Sequence, residues 1–150
     1  MGRRIAALIA VLAVALAVAG VASAGDGGRP LSTTLTGAEE VPGPGDPNAT
    51  GQADLRLNQG KQRVCFDLSW ADVDGQVSAG HIHVGPVGVA GPIVVGLFAG
   101  SFAGTDAVSG CVQDVDKDLI KDIRQDPSEY YVNVHSGPFP AGAVRGQLSK

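Results

Sequence analysis

The sequence predicts an all-β fold: an antiparallel Greek-key sandwich or barrel of about eight short strands with one short helix. Three observations carry this expectation. Apolar and polar residues alternate over residues 51–57 and again over 62–70, the period-two pattern of strands with one buried face. The 22 glycines and 9 prolines cluster between such runs, where they break regular structure and form turns. Helical spacing shows at one place, after Asp116.

The N-terminus is set aside first. Arg3 and Arg4 precede an apolar run over residues 5–21, and Ala22-Ser23-Ala24 offers small residues at both positions a signal peptidase reads. Residues 1–24 therefore read as a cleaved secretory signal. The run approaches the roughly 20 residues of a membrane span. Its Ala-rich core and the polar Gly25-Asp26-Gly27-Gly28 that follows favour cleavage over anchoring. Residues 25–150 then form one exported domain, secreted or held in the cell envelope, with no membrane span. The net charge of −4 becomes −6 without Arg3 and Arg4, which leaves no electrostatic footprint for nucleic acid. Both cysteines, Cys65 and Cys111, fall in the exported part, so a disulfide is expected. Two metal thiolates are the alternative, but close CxxC spacing is missing.

Along the chain, residues 25–30 form a flexible lead and 31–36 a first strand. Residues 39–47 carry three prolines and form a loop. The strands over 51–57 and 62–70, joined by a turn at 58–61, make a hairpin whose inner face includes Val64, Phe66, Leu68 and Trp70. Cys65 points the other way, so its partner is expected across an edge or end of the sheet. A strand over 76–84 contains His81 and His83. The Gly-rich loop 85–91 follows, then a continuous apolar strand over 92–98. Residues 101–110 read as loose, with Cys111-Val112 in a short strand.

Asp114, Asp116, Asp118 and Asp122 occupy positions one, three, five and nine of a calcium-loop pattern. Leu119 stands where that loop needs Gly, and Gln125 where it needs Glu. A helix capped by Asp116 explains the acids better, with Leu119, Ile120 and Ile123 as its buried stripe and Asp126-Pro127 as its stop. Strands over 130–135 and 143–148, separated by a turn at 137–142, complete the fold.

All three histidines of the chain lie on two of these strands. Alternation puts His81 and His83 on one face, about 6.6 Å apart along the strand, with Ile82 opposite. Asn133 and His135 share a face in the same way. Three neutral imidazoles can bind Cu(II) or Zn(II) and leave a position open, copper binding the tighter at a given nitrogen site. Tyr131, Asn133 and Arg145 are expected near that face, Asn133 as a partner that orients an imidazole. Arg145 would steer an anion or pair with a carboxylate. Ligation needs neutral rings, so affinity is expected to fall as pH drops through about 6.5.

Four blocks in order carry a family resemblance: Leu35-Thr36-Gly37-Ala38-Glu39-Glu40-Val41-Pro42, His81-Ile82-His83-Val84-Gly85 with Gly91-Pro92-Ile93-Val94-Val95, Tyr130-Tyr131-Val132-Asn133-Val134-His135, and Phe139-Pro140-Ala141-Gly142-Ala143-Val144-Arg145-Gly146-Gln147-Leu148. Together they resemble the CHRD (chordin-type) domain, over about residues 31–148. The resemblance implies an extracellular β-rich module of the bacterial exported type, and no particular activity. Ser136 and Ala143 depart from its usual pattern. A weaker resemblance is to copper/zinc superoxide dismutases. It implies His81, His83 and His135 as copper ligands and Arg145 near the copper, but the histidines of a zinc site are missing. Three functions follow as expectations. The first is a non-catalytic binding module holding copper, or less readily zinc. The second is a copper-only dismutase-like redox enzyme, and the third a metal-free adhesive module for extracellular protein or glycan.

Overall fold

A computed structural model describes residues 27–150. The expected signal segment, residues 1–24, lies outside the described residues. Eight strands form one antiparallel sheet: β1 (Arg29–Thr36), β2 (Thr50–Asn58), β3 (Arg63–Ala71), β4 (Val77–Val84), β5 (Ile93–Ala99), β6 (Ala107–Val112), β7 (Tyr130–Ser136) and β8 (Val144–Gln147). Among the described residues a single α-helix, α1 (Lys117–Gln125), precedes β7. The sheet order is β5-β4-β7-β8-β1-β2-β3-β6. It curls into a nearly closed barrel whose two edge strands, β5 and β6, approach each other at the seam. The all-β expectation with one short helix holds.

Alternation explains the lining. Leu55 and Leu57 of β2 pair with Phe66 and Val64 of β3, and all four are buried. Ile82, Val132 and Val134 face them from β4 and β7. Phe98 of β5 closes the seam from within, its ring 6.2 Å from Phe66 and 5.9 Å from Trp70. Gly80 makes room for it: a Cβ there would stand 2.4 Å from the Phe98 ring. Asp116 caps α1, its Oδ1 accepting from the amides of Asp118 and Leu119 at 2.8 and 2.9 Å. Ile120 and Ile123 drop into the core, Leu119 is partly buried against it, and Asp118 stands in the first turn, so Asp116 and Asp118 serve the helix as the capping reading expects.

Two expectations are corrected. Residues 107–110 are strand rather than loose chain, because β6 pairs with β3 from Ser69↔Ala107 to Val64↔Val112. Cys65 finds Cys111 directly opposite on that neighbouring strand and bonded to it on the outer face, so the bond crosses no edge or end of the sheet. Among the described residues no helix is long and apolar enough to cross a membrane.

Candidate metal centre

The centre sits on the outer face of β4, β7 and β8. Register places His81 beside Asn133 and Arg145, and His83 beside Tyr131 and Gln147. His135 follows Asn133 by two residues on β7, so alternation keeps both on the same face. His81, His83 and His135 are the one group of three or more potential metal ligands among the described residues, their ligand atoms within 4.8 Å of one another. Two ligands with bonds of about 2.1 Å span at most about 4.2 Å. Metal binding would therefore draw the most distant pair together by at least roughly half an ångström, and by about 1.5 Å for a tetrahedral ion.

The histidines are not a simple surface set. His83 is buried, whereas His81 and His135 are half-buried. Loop 85–91 covers His83, and the Gly91 carbonyl lies 2.8 Å from its Nδ1. A carbonyl only accepts, so Nδ1 carries the proton and Nε2 the lone pair of the neutral ring. His135 is fixed in the same way, Nδ1 lying 3.1 Å from the Pro140 carbonyl. Both Nε2 atoms then point at Asn133 Oδ1, at 3.0 and 3.1 Å. His81 Nδ1 lies 3.0 Å from His135 Nε2. Burial, then the charges of His135 and His83, push the His81 pKa down to about 4. Burial lowers that of His135 too, against the opposing bond to Pro140.

Tyr131 and Arg145 build the wall. The Tyr131 ring stacks on His83, with centroids 4.7 Å apart and planes within 9°. The Arg145 guanidinium lies 3.4 Å from the same ring's centroid. It donates to the carbonyls of Val89 (2.9 Å) and Pro86 (3.1 Å) and to Gln147 Oε1 (3.4 Å). Tyr131 Oη accepts from the Gly91 amide at 3.2 Å. Only glycine fits at 91, since a Cβ would fall 1.6 Å from the Val84 carbonyl oxygen. Arg145 thus holds the loop that holds His83.

Several contributors escaped the sequence reading. Gly91 and Pro140 offer backbone oxygens, which every residue type has. Gln147, two residues past Arg145 on the same face, donates to the carbonyls of Gly85 and Tyr130; that spacing was the one available signal. Glu40 and Asp46 are buried in the proline loop. Asp46 accepts from the amides of Asn48 and Asp74, which ties that loop to the β3–β4 turn. Among the described residues Asp114, Asp116, Asp118 and Asp122 belong to no group of three potential metal ligands.

A family model, the CHRD domain, matches residues 31–148 and so spans all eight strands except the first two residues of β1. No significant match was found among curated proteins or among solved structures.

Proposed function

The chain belongs to the CHRD domain family, and from that membership and the histidine geometry we propose an exported β-module that holds one metal ion through His81, His83 and His135. The observation that carries this reading is the fixing of two imidazole tautomers by backbone carbonyls, which leaves both Nε2 lone pairs converging beside His81. Buried lone pairs aimed at one another are costly without a donor or a cation between them. Carbonyl partners on the remote nitrogen are also what orients metal-bound histidines in general. Copper is favoured over zinc by the order of affinities at nitrogen sites. The disulfide and the extracellular character of the family are consistent with export. A second histidine cluster of the dismutase type has no donors among the described residues. A single-ion module therefore fits better than a bimetallic enzyme.

The test is calorimetric titration of the purified protein with Cu(II) and with Zn(II), beside His81→Ala, His83→Ala and His135→Ala. One ion per chain is expected in the wild type, with affinity lowered at least about 100-fold in His83→Ala. With His81 at about 4 and His135 lowered, the affinity loss on acidification moves below the 6.5 of a free imidazole. Absence of binding, or equal affinity in all four proteins, would sink the proposal and favour an adhesive module. A dismutase assay on the copper-loaded protein separates a redox enzyme from a carrier.

A further inference from the structure

We propose that Asn133 is the gate of this centre: its amide nitrogen plugs the ligand positions of the metal-free protein, and metal enters as the amide turns to offer Oδ1 as a fourth ligand. The inference rests on the metal-binding reading and concerns how the site is kept ready and which ions it admits.

Asn133 is 2% exposed, and its side-chain terminus lies between two ring nitrogens, at 3.0 Å from His83 Nε2 and 3.1 Å from His135 Nε2. Both rings donate Nδ1–H to carbonyls, so in their neutral forms both Nε2 atoms are acceptors. With an amide oxygen between them, His81 Nδ1–H can serve only His135 Nε2, and Asn133 Oδ1 and His83 Nε2 face each other at 3.0 Å with no proton between them. Three arrangements relieve the conflict. Protonating one ring or both would bury a cation against a neutral oxygen, and the ligand cluster contains no carboxylate to balance it. A metal ion could sit among the lone pairs. Otherwise the amide turns by half a revolution about its Cβ–Cγ bond, and Nδ2 donates one hydrogen to each Nε2.

The amide oxygen and nitrogen have nearly the same shape, so the turn leaves packing unchanged. The 3.0 and 3.1 Å separations suit an N–H···N bond. They also lie close to the roughly 3.3 Å between neighbouring ligands on a tetrahedral ion with bonds of about 2.0 Å. Asn133 can therefore serve both states from one position. His81 completes the exchange. Among the described residues no backbone group fixes its tautomer, and its one hydrogen-bond contact is Nδ1 to His135 Nε2. In the metal-free protein Nδ1–H and the Asn133 amide share that single lone pair, at 3.0 and 3.1 Å. On metal binding the proton moves to Nε2, and Nδ1 becomes a ligand. No net proton is taken up or released.

Three imidazoles and a neutral amide oxygen offer no thiolate, thioether or carboxylate. Such a set suits Cu(II) and Zn(II) and is poor for Cu(I), which prefers softer donors. Asn133 would thus set oxidation-state preference as well as entry.

Zinc, being diamagnetic, allows the gate to be followed by NMR in the isotopically labelled wild type. Before zinc, the Asn133 side-chain NH2 should show couplings through its hydrogen bonds to Nε2 of His83 and His135. After one equivalent, those couplings should vanish and the Asn133 carbonyl carbon should shift. Asn133→Leu should bind zinc about 10- to 100-fold more weakly, whereas Asn133→Asp, with oxygen in either orientation, should bind at least as tightly as wild type. Zinc binding with the Asn133 signals unchanged would overturn the gate alone. Failure of wild type to bind zinc at all, with the couplings in place, would overturn the metal-centre reading beneath it.

Discussion

Arg145 is the largest fully buried side chain among the described residues, and its hydrogen bonds go to loop carbonyls and one amide oxygen rather than to a carboxylate or an anion. A lysine there keeps the charge but loses the planar fork that reaches Pro86 and Val89 together, and it stacks less well on Tyr131. Arg145→Lys should therefore loosen loop 85–91 and free the Gly91 carbonyl from its place on His83. The expected outcome is a loss of about 1–3 kcal/mol in unfolding free energy and about 10-fold weaker Cu(II) binding, by chemical denaturation and calorimetry. Unchanged copper affinity in a destabilised variant would limit Arg145 to a structural role. At this scale the sequence was legible where side chains alternate: His81, His83, His135, Asn133 and Arg145 stand on the expected face. The use Arg145 makes of that place was not legible, because carbonyl partners supplied by a distant loop leave no residue-type signal. Burial of His83 was hidden for the same reason.

Among the elements, β2 and β3 announce themselves because each has one wet and one dry face, and the register follows from the short turn between them. β6 does not, since Ala107–Val112 is mostly exposed and contains Ser109 and Gly110. Its strand conformation comes from β3 and from the disulfide. The Cys65–Cys111 bond closes a loop of 46 residues, for which chain entropy gives about 4 kcal/mol and practice about 2–4. Cys65→Ala/Cys111→Ala should lose that stability and raise hydrogen exchange in β6 first. The histidine cluster should be spared, because it stands on the outer face of β4 and β7, neither of which pairs with β6. Equal exchange in β6 with and without the bond would show that backbone pairing alone holds the edge.

For the whole molecule, Glu40 joins the loop before β2 to the chain entering β8. Its carboxylate lies where a side chain at Gly142 would stand, and Oε1 has no protein hydrogen-bond partner. Burial raises its pKa to about 7, against the pull of the Arg145 charge and the Val41 amide. An acid whose pKa is higher folded than unfolded binds its proton on folding. Between about 4.5 and about 7 the unfolded chain has released that proton while the folded protein keeps it, so this contribution falls as pH rises through that window. His81 and His135 act in the opposite sense: their lowered values make the folded protein lose stability on acidification below the unfolded histidine value of 6.5. The two effects overlap, so a pH profile of the wild type alone does not separate them. Glu40→Gln keeps the shape and removes the titration. Its profile should retain the histidine slope, and the wild type should fall behind the variant by on the order of 1–3 kcal/mol between pH 4.5 and pH 7.5. Urea denaturation of both proteins, metal-free, at a series of pH values measures the difference. A constant gap between the two profiles would mean that Glu40 is ionised throughout, with the Arg145 charge outweighing its burial.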